Sequence, residues 1–146
     1  SGNSGAHGID RLILRAMRGK PVSEFEGVER QLAIFDALPE SEQRDLLGAV
    51  IRSAAGARAE QLSLQRAYLR GDAEALAALD HAGLLADPEL RQALLVARNQ
   101  AWLAQLEPML RQGEKPLVAV GALHLVGADG LIAGLQARGF RVTRLQ

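Results

Sequence analysis

Leu117-Val118-Ala119-Val120-Gly121-Ala122-Leu123-His124-Leu125-Val126-Gly127-Ala128-Asp129-Gly130-Leu131 is the stretch on which a reading of the fold turns. Four apolar residues run unbroken from Leu117 to Val120 between Lys115-Pro116 and Gly121, the pattern of a short strand covered on both faces. A helix is predicted from about Asp129 to Arg138, with Leu131, Ile132 and Leu135 inward. Gly139 closes it, and Phe140 to Leu145 reads as a second strand. Strand, helix, strand predicts a parallel pair joined by a right-handed crossover, with ligand sites at the carboxyl ends of the strands. The expected class is therefore α/β: helix-rich, with a small, mostly parallel sheet and a helical middle.

Upstream the pattern is helical. Ile9, Leu12, Ile13 and Ala16 recur at helical spacing in a first short amphipathic helix that begins near His7 and stops at Gly19-Lys20-Pro21. Val22 to Glu26 reads as a brief strand running into a helix, although Ser23 and Glu26 also fit a capping box. Leu32, Phe35 and Leu38 mark a helical stripe ended by Pro39, and Leu46, Leu47, Val50, Ile51, Ala54 and Ala55 mark another. Gly71-Asp72 supplies a break and an N-cap for the run Ala73 to Leu79. Asp87-Pro88 opens a long helix through Trp102 and Leu106, predicted to distort at Pro108 and to end at Gly113. Residues 1–5, Ser-Gly-Asn-Ser-Gly, have linker composition, and the domain is taken as 6–146.

Composition removes several classes of function. The 146 residues balance 17 basic against 17 acidic side chains, so no basic footprint for nucleic acid stands out. Only 3% are aromatic, which leaves little for stacking platforms. With no cysteine there are no thiolate metal sites, disulfides or cysteine nucleophiles, and a metal would rely on three histidines and carboxylates. No stretch approaches the roughly 20 apolar residues of a membrane span, and no export signal is visible. The glycines of 121–130 match neither the dinucleotide fingerprint nor a Walker loop, and serine-hydrolase and zincin motifs are absent from the sequence.

Three places carry chemistry. His124 follows the best strand directly and lies among glycines, Gly121 included, that allow close approach; it is either a site residue or a loop histidine bonded to a neighbouring carbonyl. Glu26, at the end of a short strand, could meet His124 at one sheet edge as ligand or general base, or simply begin a helix in solvent. Asn99 falls on the apolar stripe running from Leu95 to Trp102, with Arg98 at its margin. Polar groups there need partners, which makes the pair a hydrogen-bonding clip or a fork for a substrate carboxylate. His7 and His81 have no partner at metal-ligand spacing and read as surface residues.

The run Val118 to Leu131, continuing through Ala137-Arg138-Gly139-Phe140-Arg141-Val142, resembles the carboxyl-terminal signature of TraB/GumN proteins. The resemblance extends to Arg98-Asn99 with Trp102 close behind, to Gly19-Lys20-Pro21-Val22, to Glu26, and to Gln31-Leu32 with Phe35-Asp36-Ala37-Leu38-Pro39. That family includes relatives of the Tiki metalloproteases and the pheromone-shutdown proteins. Its proposed site joins two Gly-x-x-His motifs to a glutamate. By resemblance His124 belongs to the second motif and Glu26 is the glutamate, while no counterpart of the first motif stands in this sequence; the chain would then be the later part of the family domain.

What the resemblance implies is a metal-dependent hydrolase or protease, inactive as this chain alone. Manganese, cobalt or zinc would be held by His124 and Glu26, the substrate would be a peptide or protein, and the location would be periplasmic or cell envelope. A noncatalytic peptide- or partner-binding regulatory module of the envelope is the other expectation, suggested by the missing motif and the long amphipathic stretches.

Overall fold

The computed structural model of the chain describes residues 8–81 and 83–145, with the side chains of 52–61 and 80 outside the description. His7, the linker at 1–5 and the side chains of Ala54 and Ala55 therefore lie outside it. The elements are α1 (Ile9–Ala16), α2 (Val28–Asp36), α3 (Glu40–Arg70), α4 (Ala73–Ala78), α5 (Pro88–Arg91), α6 (Ala97–Arg111) and α7 (Leu131–Ala137). A π-helical turn, Gln92–Val96, joins α5 to α6, and single 3₁₀ turns occupy Leu79–His81, Gly83–Ala86 and Ala122–His124.

Local capping chemistry sets several of these boundaries. The Asp72 carboxylate accepts from the Ala75 amide at 3.0 Å, and that of Asp87 accepts from Glu89 and Leu90, both at 3.0 Å. Each satisfies amides that the first turn of a helix leaves without partners. Gly71, at φ 63°, takes the left-handed conformation that ends the 31-residue α3.

The expected sheet is absent: no strand occurs among the described residues, so the chain is helical rather than α/β. Leu117 to Val120 is extended but half covered, with Val118 and Val120 inward and Leu117 and Ala119 exposed. Val120 packs against the cluster of Trp102, Leu103 and Leu131. No backbone hydrogen bond among the described residues joins 115–120, 141–145 or 21–26 to another segment. An apolar run becomes a strand only when a second extended segment pairs with its amides and carbonyls, and here helices cover it instead. The brief strand at Val22 to Glu26 is likewise an unpaired connector, and α2 starts from Gly27 rather than from a Ser23 capping box.

The long helix opened by Asp87-Pro88 distorts in a different place from the one expected. Pro108 lies inside α6 without ending it, whereas Gln92–Val96 widens into the π turn. That extra residue turns Leu95 and Val96 inward together, alongside Leu90.

One hydrophobic cluster joins α6 to α7. Trp102 and Leu103 of α6 meet Leu131 of α7, with Phe25, Val120, Leu125 and Leu135 around them. Gly134 lets α7 approach α6, since a Cβ there would collide with the Leu103 side chain. Leu76, Leu90, Leu95 and Val96 are buried in the region of α4, α5 and the π turn. By contrast α1 and α2 bury no residue at all.

Candidate functional site

Asn99 is the organising residue. It follows the π turn by three positions and is 1% exposed. Its Nδ2 donates to the Asp129 carbonyl at 2.8 Å, which turns Oδ1 towards the His124 ring, and His124 Nδ1 lies 2.6 Å from that oxygen. An amide oxygen accepts only, so the hydrogen-bond network assigns the imidazole proton to Nδ1 and leaves Nε2 with its lone pair bare. No hydrogen bond among the described residues engages Nε2.

The 3₁₀ turn Ala122–His124 presents the ring, with the His124 amide donating to the Gly121 carbonyl at 2.9 Å. Trp102 lies 4.4 Å from the imidazole between centroids and stacks on Phe25 at 5.5 Å. Burial first, and then the nearby Arg98 cation, lower the His124 pKa from 6.5 to about 4, against an opposing contribution from Glu26. The ring is neutral throughout the physiological range.

Glu26 sits in the α1–α2 connector, whose Phe25 carbonyl accepts from Gln105 Nε2 of α6 at 3.1 Å. Its Oε1 accepts from Arg98 Nε at 2.7 Å and from Arg98 Nη2 as well. Arg98 Nη1 donates to the Leu94 carbonyl at 3.1 Å, and the guanidinium carbon stands 5.0 Å from the Trp102 ring centroid. Both side chains are largely buried. The carboxylate keeps Oε2, to which no hydrogen bond is made among the described residues.

Glu26, Arg98, Asn99 and His124 thus converge around Trp102, and the charges of Glu26 and Arg98 both reach the imidazole. Arg98 and Asn99 are tied into protein hydrogen bonds. Gly121 has no steric duty: a Cβ there would make an ordinary 3.7 Å contact with the His124 ring. A glycine the loop does require is Gly130, where a Cβ would collide with the Val126 carbonyl oxygen and sit 2.6 Å from that of Leu125. His81 is exposed and stands apart from this cluster.

Trp102, Phe25 and Asp129 also belong to the site, though the sequence does not mark them as such. Trp102 could have been found, because it follows Arg98 by four and Asn99 by three, which places all three on one helix face. Phe25 and Asp129 join only through tertiary packing.

Imidazole nitrogen and carboxylate oxygen are donor types that divalent cations accept. A neutral imidazole nitrogen and a carboxylate oxygen suit manganese, cobalt or zinc, and a ring already deprotonated at neutral pH has no proton to displace. His124 Nε2 and Glu26 Oε2 are two donors, where catalytic sites commonly draw on about three from protein. The only group of three or more potential ligands found among the described residues, Glu42, Asp45 and Asp87, lies elsewhere, and acidic clusters of that kind are common without an ion.

The model of the TraB/PrgY/gumN family matches residues 1–144. The chain belongs to the TraB/PrgY/gumN family. No curated protein and no solved structure matches it. The match spans nearly the whole chain and so takes in His124, Glu26 and the helix α6 that carries Arg98 and Asn99. No helix among the described residues is long and apolar enough to cross a membrane.

Proposed function

We propose that this TraB/PrgY/gumN chain carries the histidine half of a metal-dependent peptide-hydrolysing site. His124 Nε2 and Glu26 Oε2 would hold the ion, and other donors would complete its set. A bound divalent ion supplies Lewis acidity and lowers the pKa of its water. Asn99 keeps the imidazole in the tautomer that offers Nε2, and Asp129 keeps Asn99 from flipping. Arg98 holds the Glu26 carboxylate at Oε1 and leaves Oε2 free, while Trp102, backed by Phe25, lies against the ring.

The observation that carries this reading is the Asp129–Asn99–His124 relay, at 2.8 and 2.6 Å, which exposes the one ring nitrogen able to bind a cation. A histidine held near pKa 4 is a poor general base at neutral pH, which leaves ligation through Nε2 as the role proposed for it. With only two donors, the chain by itself is expected to turn over no peptide. Hydrolysis of a fluorogenic peptide library by the family protein with manganese, cobalt or zinc, compared with His124→Ala, tests it. Equal turnover by the variant defeats the assignment. The periplasmic or envelope location belongs to the same proposal and is checked by fractionating cells that express the protein.

A second reading, a noncatalytic peptide- or partner-binding module of the envelope, is favoured by one observation: Arg98 already neutralises the Glu26 carboxylate that would have to help hold a metal. Calorimetric titration of the three metals separates the two, because heat lost on His124→Ala supports the metal site and absence of any heat supports the module.

A further inference from the structure

Among the described residues, two exposed surfaces of this chain complement each other. Helix α1 buries nothing; Ile9 and Leu12 are 58% and 54% exposed on its apolar face. Residues 8–20 carry four basic side chains against one acidic, a net of +3. The following stretch, 21–45, carries seven acidic against two basic, a net of −5. Within it α2 also buries nothing, and with the start of α3 it forms an open groove of about 460 Å³. Leu32, Ala33 and Phe35 make its apolar floor, and Glu29 and Asp36 its acidic rim.

We propose that α1 of one copy docks into the α2–α3 groove of a second copy, and reciprocally, forming a two-fold dimer. An isologous interface uses each surface twice, once as donor and once as receptor. Apolar side chains at i, i+3 and i+4 fit a hydrophobic groove, and the basic face of α1 meets the acidic rim. The accessible surface of the chain, 10,813 Å², exceeds the roughly 7,200 Å² of a compact monomer of 15.6 kDa by far more than the ~800 Å² per partner of a standard interface. A lipid surface fits less well, because the acidic stretch adjoining α1 repels anionic headgroups. The connector holding Phe25 and Glu26 would be fixed at both ends by such docking.

Sedimentation equilibrium on the full chain tests this with charge-swapped variants. Arg11→Glu/Arg15→Glu reverses the helix, and Glu29→Arg/Asp36→Arg reverses the groove. Each variant alone is expected to be monomeric, with dimer affinity down tenfold or more, while an equimolar mixture forms a heterodimer because both reversed surfaces then meet opposite charge. Leu12→Glu should abolish the dimer with the circular dichroism unchanged, since Leu12 supports no core. Any of four results overturns the proposal: a wild-type monomer at every concentration, a dimer indifferent to Leu12→Glu, a mixture that stays monomeric, or α1 cross-linking to its own groove independently of concentration. Binding of the monomer to phosphatidylglycerol vesicles would assign α1 to a membrane instead.

Discussion

Oδ1 of Asn99 stands 2.6 Å from Nδ1 of His124, and the amide that bears it is locked by the Asp129 carbonyl. One buried side chain therefore sets both the orientation and the tautomer of the histidine. Replacing Asn99 by Leu removes two hydrogen bonds and leaves the Asp129 carbonyl without its partner, at a cost of about 1–3 kcal/mol. Urea unfolding measures it. Asn99→Asp puts a carboxylate against the ring, and NMR titration should show the His124 pKa rising well above its wild-type value.

Stability should fall in acid through His124. Its folded pKa is held down to about 4 from an ordinary 6.5, so between those values the unfolded chain takes up a proton that the folded chain refuses. The stabilisation is fully present above about pH 6.5 and is lost as pH falls towards 4. His124→Gln should remove that dependence. Trp102 is the single tryptophan and lies 4.4 Å from the ring, so its fluorescence should titrate with a midpoint near 4 in the wild type alone.

Glu26 and Arg98 should be worth more together than either is alone. Their side chains are 13% and 17% exposed, so Glu26→Gln leaves a guanidinium short of its counter-charge in a poorly hydrated place. The expected loss is about 3 kcal/mol, near the lower end for buried pairs. Glu26→Gln/Arg98→Met should recover part of it, and a double-mutant cycle by thermal unfolding gives the coupling.

Two glycines of one loop should behave oppositely. Gly130→Ala drives a methyl into the Val126 and Leu125 carbonyls and should cost about 1–3 kcal/mol or more. Gly121→Ala, at φ −58° with an ordinary contact to the ring, should stay within about 0.5 kcal/mol of wild type. The thermal midpoints of the two variants decide it.

The candidate site was legible in its parts and not in its assembly. Asn99 is readable as a polar residue on an apolar stripe with Arg98 at its margin, His124 as the histidine after an apolar run among glycines, and Glu26 as the carboxylate ending a brief stretch before a helix. Their meeting is not, since Glu26 and Arg98 are 72 positions apart and Asn99 and His124 are 25 apart. The sheet was misread because Leu117-Val118-Ala119-Val120 has the composition of a covered strand whether or not anything pairs with it.

The sequence by itself determined the helix ends at Gly71, Asp72, Asp87 and Gly139, because a cap is a bargain struck within a few residues of chain. Family membership was likewise written in local motifs. Tertiary structure alone decided that the extended segments remain unpaired, that the long helix widens at Gln92–Val96, and that Asn99 fixes the histidine tautomer. Those outcomes depend on which distant groups arrive beside a backbone amide or an imidazole nitrogen, and no local pattern encodes that arrival.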